Sequence, residues 1–248
     1  MSDETRKLPL HAVEEIRRSR RSPRLTQYDY LHLRYLRDDL RTVLRGLVPP
    51  PRRVLDVFCG TRPYEDFLPP AVECIGFDVE DNPYGTADVV SDEFLPFADE
   101  SFDLVTCIQA FYYLPDSVHG AQEIRRVLRP GGVAVITVPF VWGYERGHLE
   151  HRFSESSLAH LFRDWDVEII ENGGWTASWV TVTASIVRLV EQQAPRGLGI
   201  RKLVRPLFAA MYAALNLIGI LLGKLERKRP ARAVALPTNL LMVARKPS

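Results

Sequence analysis

The stretch "VLDVFCGTRPYEDF", Val54 to Phe67, decides the fold. Val54, Leu55 and Val57 around Asp56 make a short buried strand, and the chain then enters a turn. Ligand-binding turns that follow such a strand are commonly rich in glycine. This one has only Gly60, with Phe58 and Arg62 at the flanking positions where small residues are the rule. Pro63 suits the first position of a helix, because its fixed φ presets the backbone. Arg62 before it is expected to be extended. A helix starting there turns its positive end toward the turn and favours an anion.

Working outward, "ECIGFDV" reads as a second strand and "ADVVS" holds a short third. "FDLVTCIQA" and "GVAVITVPF" are apolar runs of strand length, and "VEIIENGG" and "LLMVARK" supply two more. The helices are "SVHGAQEIRRVLRPGG", stopped at Pro130 and Gly131, and "SESSLAHLFRDW", with Ser154 as N-cap. A further helix lies in "TQYDYLHLRYLRDDLRTVLRGL", where Tyr28, Leu31, Tyr35, Leu36, Leu40, Val43, Leu44 and Leu47 recur at helical spacing. It stops before Pro49 to Pro51. The strands lack a two-residue alternation, so both faces of the sheet are covered. The expected fold is α/β, a Rossmann-like, mostly parallel seven-stranded sheet with helices on both faces. Its parts are a mobile polar tail (1–25), a cap helix (26–50), a core (51–175), a helical insertion (176–236) and the last strand (237–248).

The composition supports a packed core, with 46% hydrophobic residues. Cys59, Cys74 and Cys107 form no C-x-x-C pair, which speaks for a reducing compartment and against a disulfide scaffold. The first residues have no apolar core of signal-peptide length, so the expectation is a cytoplasmic protein. The net charge of +1 hides an asymmetry. Residues 1–53 carry 13 Lys/Arg against 7 Asp/Glu, residues 54–187 carry 7 against 22, and residues 188–248 carry 12 against 2. An acidic middle is a poor partner for a phosphate backbone, so no nucleic acid is expected; the basic ends suit an anionic surface or are solvated.

Three acids close strands in register. Asp56 lies in the first strand, Asp78 ends the second about 20 residues after the turn, and Asp92 follows the third. An acid at the place of Asp78 accepts both hydroxyls of a ribose. The absence of G-x-G-x-x-G in the first turn disfavours a dinucleotide enzyme. His148 and His151 in "GHLEH" have no further ligands nearby in sequence, so no metal is expected.

Residues 54–142 resemble the class I S-adenosylmethionine-dependent methyltransferases of the type 11, small-molecule kind. The resemblance rests on "VLDVFCGTRPYEDF", "ECIGFDVED", "VVSDEFLPFADESFDLVTCIQAFYYLPD" and "AQEIRRVLRPGGVAVITVPF". It implies S-adenosyl-L-methionine as cofactor. Gly60 then lets the backbone approach the methionine part, Asp78 holds the ribose, and Asp92 with Glu93 sits by the adenine amine. Gln109 lines the cleft near the sulfonium. The chain departs from the pattern at Phe58 and Arg62, which occupy the outer glycine positions. A flat ring at Phe58 can pack on the cofactor, and the Arg62 guanidinium can grip its carboxylate.

Methyl transfer to a hydroxyl or amine needs a base of near-neutral pKa. The loop "FVWGYERGHLEHRFSE" after the fifth strand offers His148 and His151, with Tyr144 and Glu150 beside them. The resemblance leaves the acceptor open: a small molecule, a glycan or a lipid-linked compound, with a nucleic-acid methyltransferase using the basic ends, or a cofactor-binding protein without turnover, as the alternatives. "PLFAAMYAALNLIGILLG", Pro206 to Gly223, carries no charge and has Lys/Arg on both sides. Three readings stay open for it: a helix packed as a lid or homodimer face, peripheral membrane contact through 201–229, and a membrane span.

Overall fold

Strand β1 (Arg53–Val57) is an inner strand, third in a seven-stranded sheet whose order is β3-β2-β1-β4-β5-β7-β6. The computed structural model describes residues 7–69, 72–79, 82–92, 94–144, 146–193, 200–226 and 235–248. The other strands are β2 (Glu73–Asp78), β3 (Val89–Val90), β4 (Phe102–Ile108), β5 (Leu128–Pro139), β6 (Asp166–Asn172) and β7 (Asn239–Arg245). All neighbours from β3 to β5 pair in parallel, whereas β7 runs antiparallel to both β5 and β6. The order reverses beside β1, since β2 and β4 flank it on opposite sides. Their carboxyl ends therefore open a crevice at the switch point.

Each face of the sheet has its own core. On one, Leu36, Leu40 and Leu44 of α2 (Tyr30–Gly46) pack on Val54, Leu104, Val135 and Leu241. On the other, Ile124 and Val127 of α3 (Ser117–Val127) meet Leu55, Val57, Phe102 and Ile136. Asp116 starts α3 by accepting a hydrogen bond from the His119 amide at 2.9 Å. The sequence placed the end of this helix at Pro130, but it stops at Val127. Leu128 is fully buried opposite Phe102, and the register then jumps to Leu104 opposite Val133. Burial of Leu128 in the sheet wins over continued helix. Ser154 caps α4 (Glu155–His160) as expected, in a reciprocal box with Ser157.

The N-terminal residues correct the sequence reading. Leu10–Arg21 is a helix, α1, in place of the expected mobile tail. Two of its arginines are engaged: Arg17 Nε donates to the Thr61 carbonyl at 2.7 Å, and Arg21 pairs with Asp66. Val13 is buried, and Leu8 N donates to Pro83 O at 2.8 Å. Residues 8–21 thus lie along the turn after β1.

Among the described residues between β6 and β7 stand two helices, α5 (Trp175–Gln193) and α6 (Ile200–Glu226), which pack on each other and on α2. The Glu226 carboxylate accepts from the amides of Trp175 and Thr176, both at 2.9 Å, so the end of α6 caps the start of α5. Asn216 is fully buried and its Nδ2 donates to the carbonyls of Leu25 and Gln27. Gly219 lets α6 approach closely, because a Cβ there would run into Leu31 and Val180.

Candidate active site

The switch-point crevice is a cavity of about 690 Å³, within the range of small-molecule sites. Its walls come from α1, α2, the turn after β1, the end of β2, the end of β4 and Trp142.

The turn is built on left-handed backbone. Phe58, Gly60 and Arg62 have φ of 54°, 52° and 51°. Glycine adopts this region freely, and side-chain-bearing residues at a cost of roughly 1 kcal/mol each. Gly60 N donates to Asp78 Oδ2 at 2.9 Å, which ties the turn to the end of β2. Asp78 is 6% exposed, also accepts from Val79 N and from Asn82, and faces the cavity. Phe58 lines the cavity as well, its ring stacked on Phe94 at 5.8 Å and tilted against Phe77 at 6.1 Å. The turn is shaped, not blocked.

Two further expected residues line the cavity. Gln109, at φ 56° after β4, donates its backbone N–H to Thr137 O at 3.0 Å, and its side-chain Nε2 donates to Thr137 Oγ1 at 3.2 Å. Asp56 lies opposite Thr106, whose hydroxyl donates to Asp56 Oδ1 at 2.7 Å. Burial pushes the Asp56 carboxyl up to about 6, partly offset by that bond. Cys59 also lines the cavity, and burial holds its thiol well above the ordinary range, so it stays protonated and a weak nucleophile.

Other expectations are not met. No α-helix follows the turn: only the short 3₁₀ segment Glu65–Phe67 forms, and Pro69 comes two residues later. No helix N-terminus therefore faces the cavity from this turn. Arg62 is left-handed instead of extended, and its guanidinium is spent elsewhere. It donates to Asp88 at 2.7 Å, Glu65 at 3.0 Å and the Cys74 carbonyl at 2.8 Å, and it does not line the cavity. It braces the turn against β2 and is not free to grip a carboxylate. Asp92 is exposed and also lies off the cavity wall. Glu93 lies outside the described residues.

The two histidines read as bases are not in the cavity either. The loop carrying them passes outside Tyr112 and Tyr113, which do line it. His148 is exposed, with its ring 6.4 Å from that of Tyr113. His151 lies 3.3 Å from the Pro115 carbonyl through Nε2, and its amide donates to Tyr112 O. Glu150 pairs with Arg152 at 2.7 Å, and Tyr144 is 70% exposed.

The cavity instead contains a histidine that the sequence reading passed over. His32, on α2, is 4% exposed and its ring lies 4.5 Å from that of Trp142. Burial lowers its pKa from 6.5 to about 4, so the ring is neutral at physiological pH. Its Nδ1 is buried without a hydrogen-bond partner, as is Oδ1 of Asp29 on the same wall. Tyr28 stacks on the same Trp142 ring at 6.2 Å, and Tyr112 and Tyr113 also line the cavity. The signal was present: His32 stands four residues from both Tyr28 and Leu36, on the stripe already assigned to the core.

Residues 55–136 match the family described as "Methyltransferase domain". Over 143 residues the chain is 32% identical to malonyl-[acyl-carrier protein] O-methyltransferase of Methylococcus capsulatus, covering 52% of this chain and 47% of that one. Over 116 residues it is 35% identical to demethylmenaquinone methyltransferase of Staphylococcus carnosus, covering 38% and 48%. The chain spans about half the length of the curated relatives it matches. Among solved structures, the [4+2]-cyclase SpnF superposes with a TM-score of 0.55 at 16% identity, covering 88% of this chain and 82% of that one. A putative sarcosine dimethylglycine methyltransferase from Galdieria sulphuraria gives 0.50 at 18%, covering 86% and 84%. At such identities the likeness is one of fold.

Residues 55–136 are thus a class I S-adenosylmethionine-dependent methyltransferase domain, and S-adenosylmethionine is the cofactor of that class. The residues present fit it: a buried carboxylate for two hydroxyls at Asp78, an open wall at Gly60 and a flat apolar ring at Phe58. Phe58→Gly should therefore relieve the strained φ yet weaken cofactor binding by roughly 1–2 kcal/mol through lost ring contact. Titration of both proteins checks this; tighter binding in the glycine variant would mean that the ring obstructs the site.

Proposed function

We propose that the chain is a methyltransferase that transfers the methyl group of S-adenosylmethionine to oxygen or nitrogen of a small-molecule, glycan or lipid-linked acceptor in the cytoplasm. The observation that carries this reading is one cavity lined by two chemically different groups of residues. Asp78, Gly60 and Phe58 on its wall suit an adenosyl group, while Tyr28, His32 and Trp142 form a separate ring cluster on the same cavity, which Tyr112 and Tyr113 also line. Gln109 lines the same cavity, its side chain held on Thr137. Bound S-adenosylmethionine supplies an electrophilic methyl group on a sulfonium. The chain's own task is to hold the nucleophile in line with that methyl group and keep water away.

His32 replaces His148 and His151 as the acceptor-facing group. A neutral, buried imidazole with an unpartnered Nδ1 can hydrogen-bond the O–H or N–H that is to be methylated. Its low pKa makes it an orienting partner more than a strong base. His32→Gln should lower turnover by about 10- to 100-fold, while cofactor affinity stays within a factor of about two. Equal losses in both quantities would assign His32 to the cofactor-binding residues or to general packing.

The acceptor is not fixed by the relatives, which are named for malonyl-[acyl-carrier protein] and for demethylmenaquinone. A second reading, cofactor binding without methyl transfer, is favoured by one observation: a cyclase superposes on this fold. Calorimetric titration tests the half shared by both readings. S-adenosylmethionine and S-adenosylhomocysteine should each saturate a single site, and NAD should not bind. Absence of binding by both adenosyl compounds would refute the proposed function.

A further inference from the structure

Helix α6 is apolar all along its middle, yet only one of its faces is covered. Tyr212, Asn216, Gly219 and Gly223 recur at four, three and four residues and are buried against the body of the protein. The opposite face carries Leu207, Met211, Ile218, Leu221 and Leu225, all exposed, with Leu221 at 62%. Helix α5 beside it does the same: Ala177, Val180 and Ala184 point inward, while Trp179, Ile186 and Leu189 are exposed, Trp179 at 61%. Both helices rest on α2 by their inner faces, so the outer faces point away from it. Apolar surface of this extent marks an interaction site.

Charge decides what covers it. From 196 to 232 the sequence has nine Lys/Arg and one acid, Glu226. That acid is turned inward as the cap of α5. Lys224, at one end of the uncharged run, is exposed, and Arg205, at the other, is exposed on the side of Tyr212, where it lines a cleft with Glu191. We infer that the outer face of α5 and α6 is a docking surface for an anionic lipid membrane, entered side-on, with the apolar residues in the acyl boundary and the basic flanks at the headgroups. A second copy of the chain fits less well. Both ends of the run are basic, so two copies sharing this face would oppose like charges in either orientation. Length and composition alone would let Val204–Glu226 cross a membrane. Spanning would strip the bonds of Asn216 to Leu25 and Gln27 and that of Tyr212 to Glu191. The surface does not depend on the methyltransferase reading, but it would bring the cavity to a lipid-linked acceptor.

The test is sedimentation of the full chain with vesicles of phosphatidylcholine, alone or mixed with phosphatidylglycerol. Binding to the mixed vesicles at low salt should exceed binding to the neutral ones by about tenfold or more. It should fall about tenfold in ~1 M salt, where the Debye length is about 3 Å. The double variant Ile186→Glu/Leu221→Glu, altered only at outward positions, should keep its circular dichroism and S-adenosylmethionine affinity and lose vesicle binding. Equal binding to neutral vesicles, or none to either kind, would overturn the proposal. So would a pellet released only by detergent, which means a span. A wild-type dimer dissociated by the double variant, without vesicle binding, would assign the face to self-association instead. Cofactor binding measured on the same samples keeps failure here distinct from failure of the proposed function.

Discussion

Replacing Asp78 by alanine is expected to weaken S-adenosylmethionine binding by about 100-fold, or about 3 kcal/mol. Two charge-assisted bonds to ribose hydroxyls would be lost, and such bonds contribute about 1.5–3 kcal/mol each without adding fully. The structure adds a second cost. Asp78 Oδ2 also receives the Gly60 amide at 2.9 Å, so the alanine variant releases the turn that forms the adjoining wall. Asp78→Asn separates the two effects, because it keeps the shape but loses the charge. Its affinity should fall between the wild type and the alanine variant. Calorimetry that finds the alanine variant unchanged would remove Asp78 from the site.

The second large effect is on stability against pH, and it comes from two desolvated groups, His32 buried and Asp56 partly so, that oppose each other. Burial lowers the His32 pKa from 6.5 to about 4. Between those values the unfolded chain binds a proton that the folded one refuses, so this group makes stability rise with pH, by about 3 kcal/mol in all. Burial raises Asp56 from 3.8 to about 6. Over that window the folded chain keeps a proton that the unfolded chain has released, so stability falls with rising pH, by about 1–3 kcal/mol. In the wild type the two largely cancel. Relative to wild type, His32→Gln should lose stability as pH rises from about 4 to 6.5. Asp56→Asn should gain stability over the same range and be the more stable protein at neutral pH. Denaturant unfolding across that range reads both differences; two flat difference curves would mean that neither group is desolvated as described.

The sheet was legible because its strands are unbroken apolar runs that need cover on both faces. That Asp78, Gly60, Phe58 and Gln109 line one cavity follows from the strand order for Asp78 and from the family resemblance for the others. Three things were not legible. Residues 10–21 read as a solvated tail, since nothing in an arginine-rich segment reveals that Thr61 O and Asp66 are waiting as partners. Arg62 read as a ligand residue, since Asp88 and the Cys74 carbonyl come near it only once β2 and β3 are in place. His148 and His151 stand out in a polar loop, whereas the cavity's own histidine, His32, is masked by the periodicity of a core helix. The α5–α6 pair was legible as apolar and basic-flanked, but the division into a packed and an open face appears only in three dimensions.

The most direct test of the central claim is transfer itself. Purified protein, S-adenosylmethionine with an isotopically labelled methyl group, and separated polar and lipid fractions of a cell extract would be incubated together and read by mass spectrometry. The account predicts one acceptor that gains a single labelled methyl group, formed together with an equal amount of S-adenosylhomocysteine and lost in Asp78→Ala. Saturable cofactor binding with no labelled product in any fraction would contradict it, and would leave a cofactor-binding fold without methyl transfer.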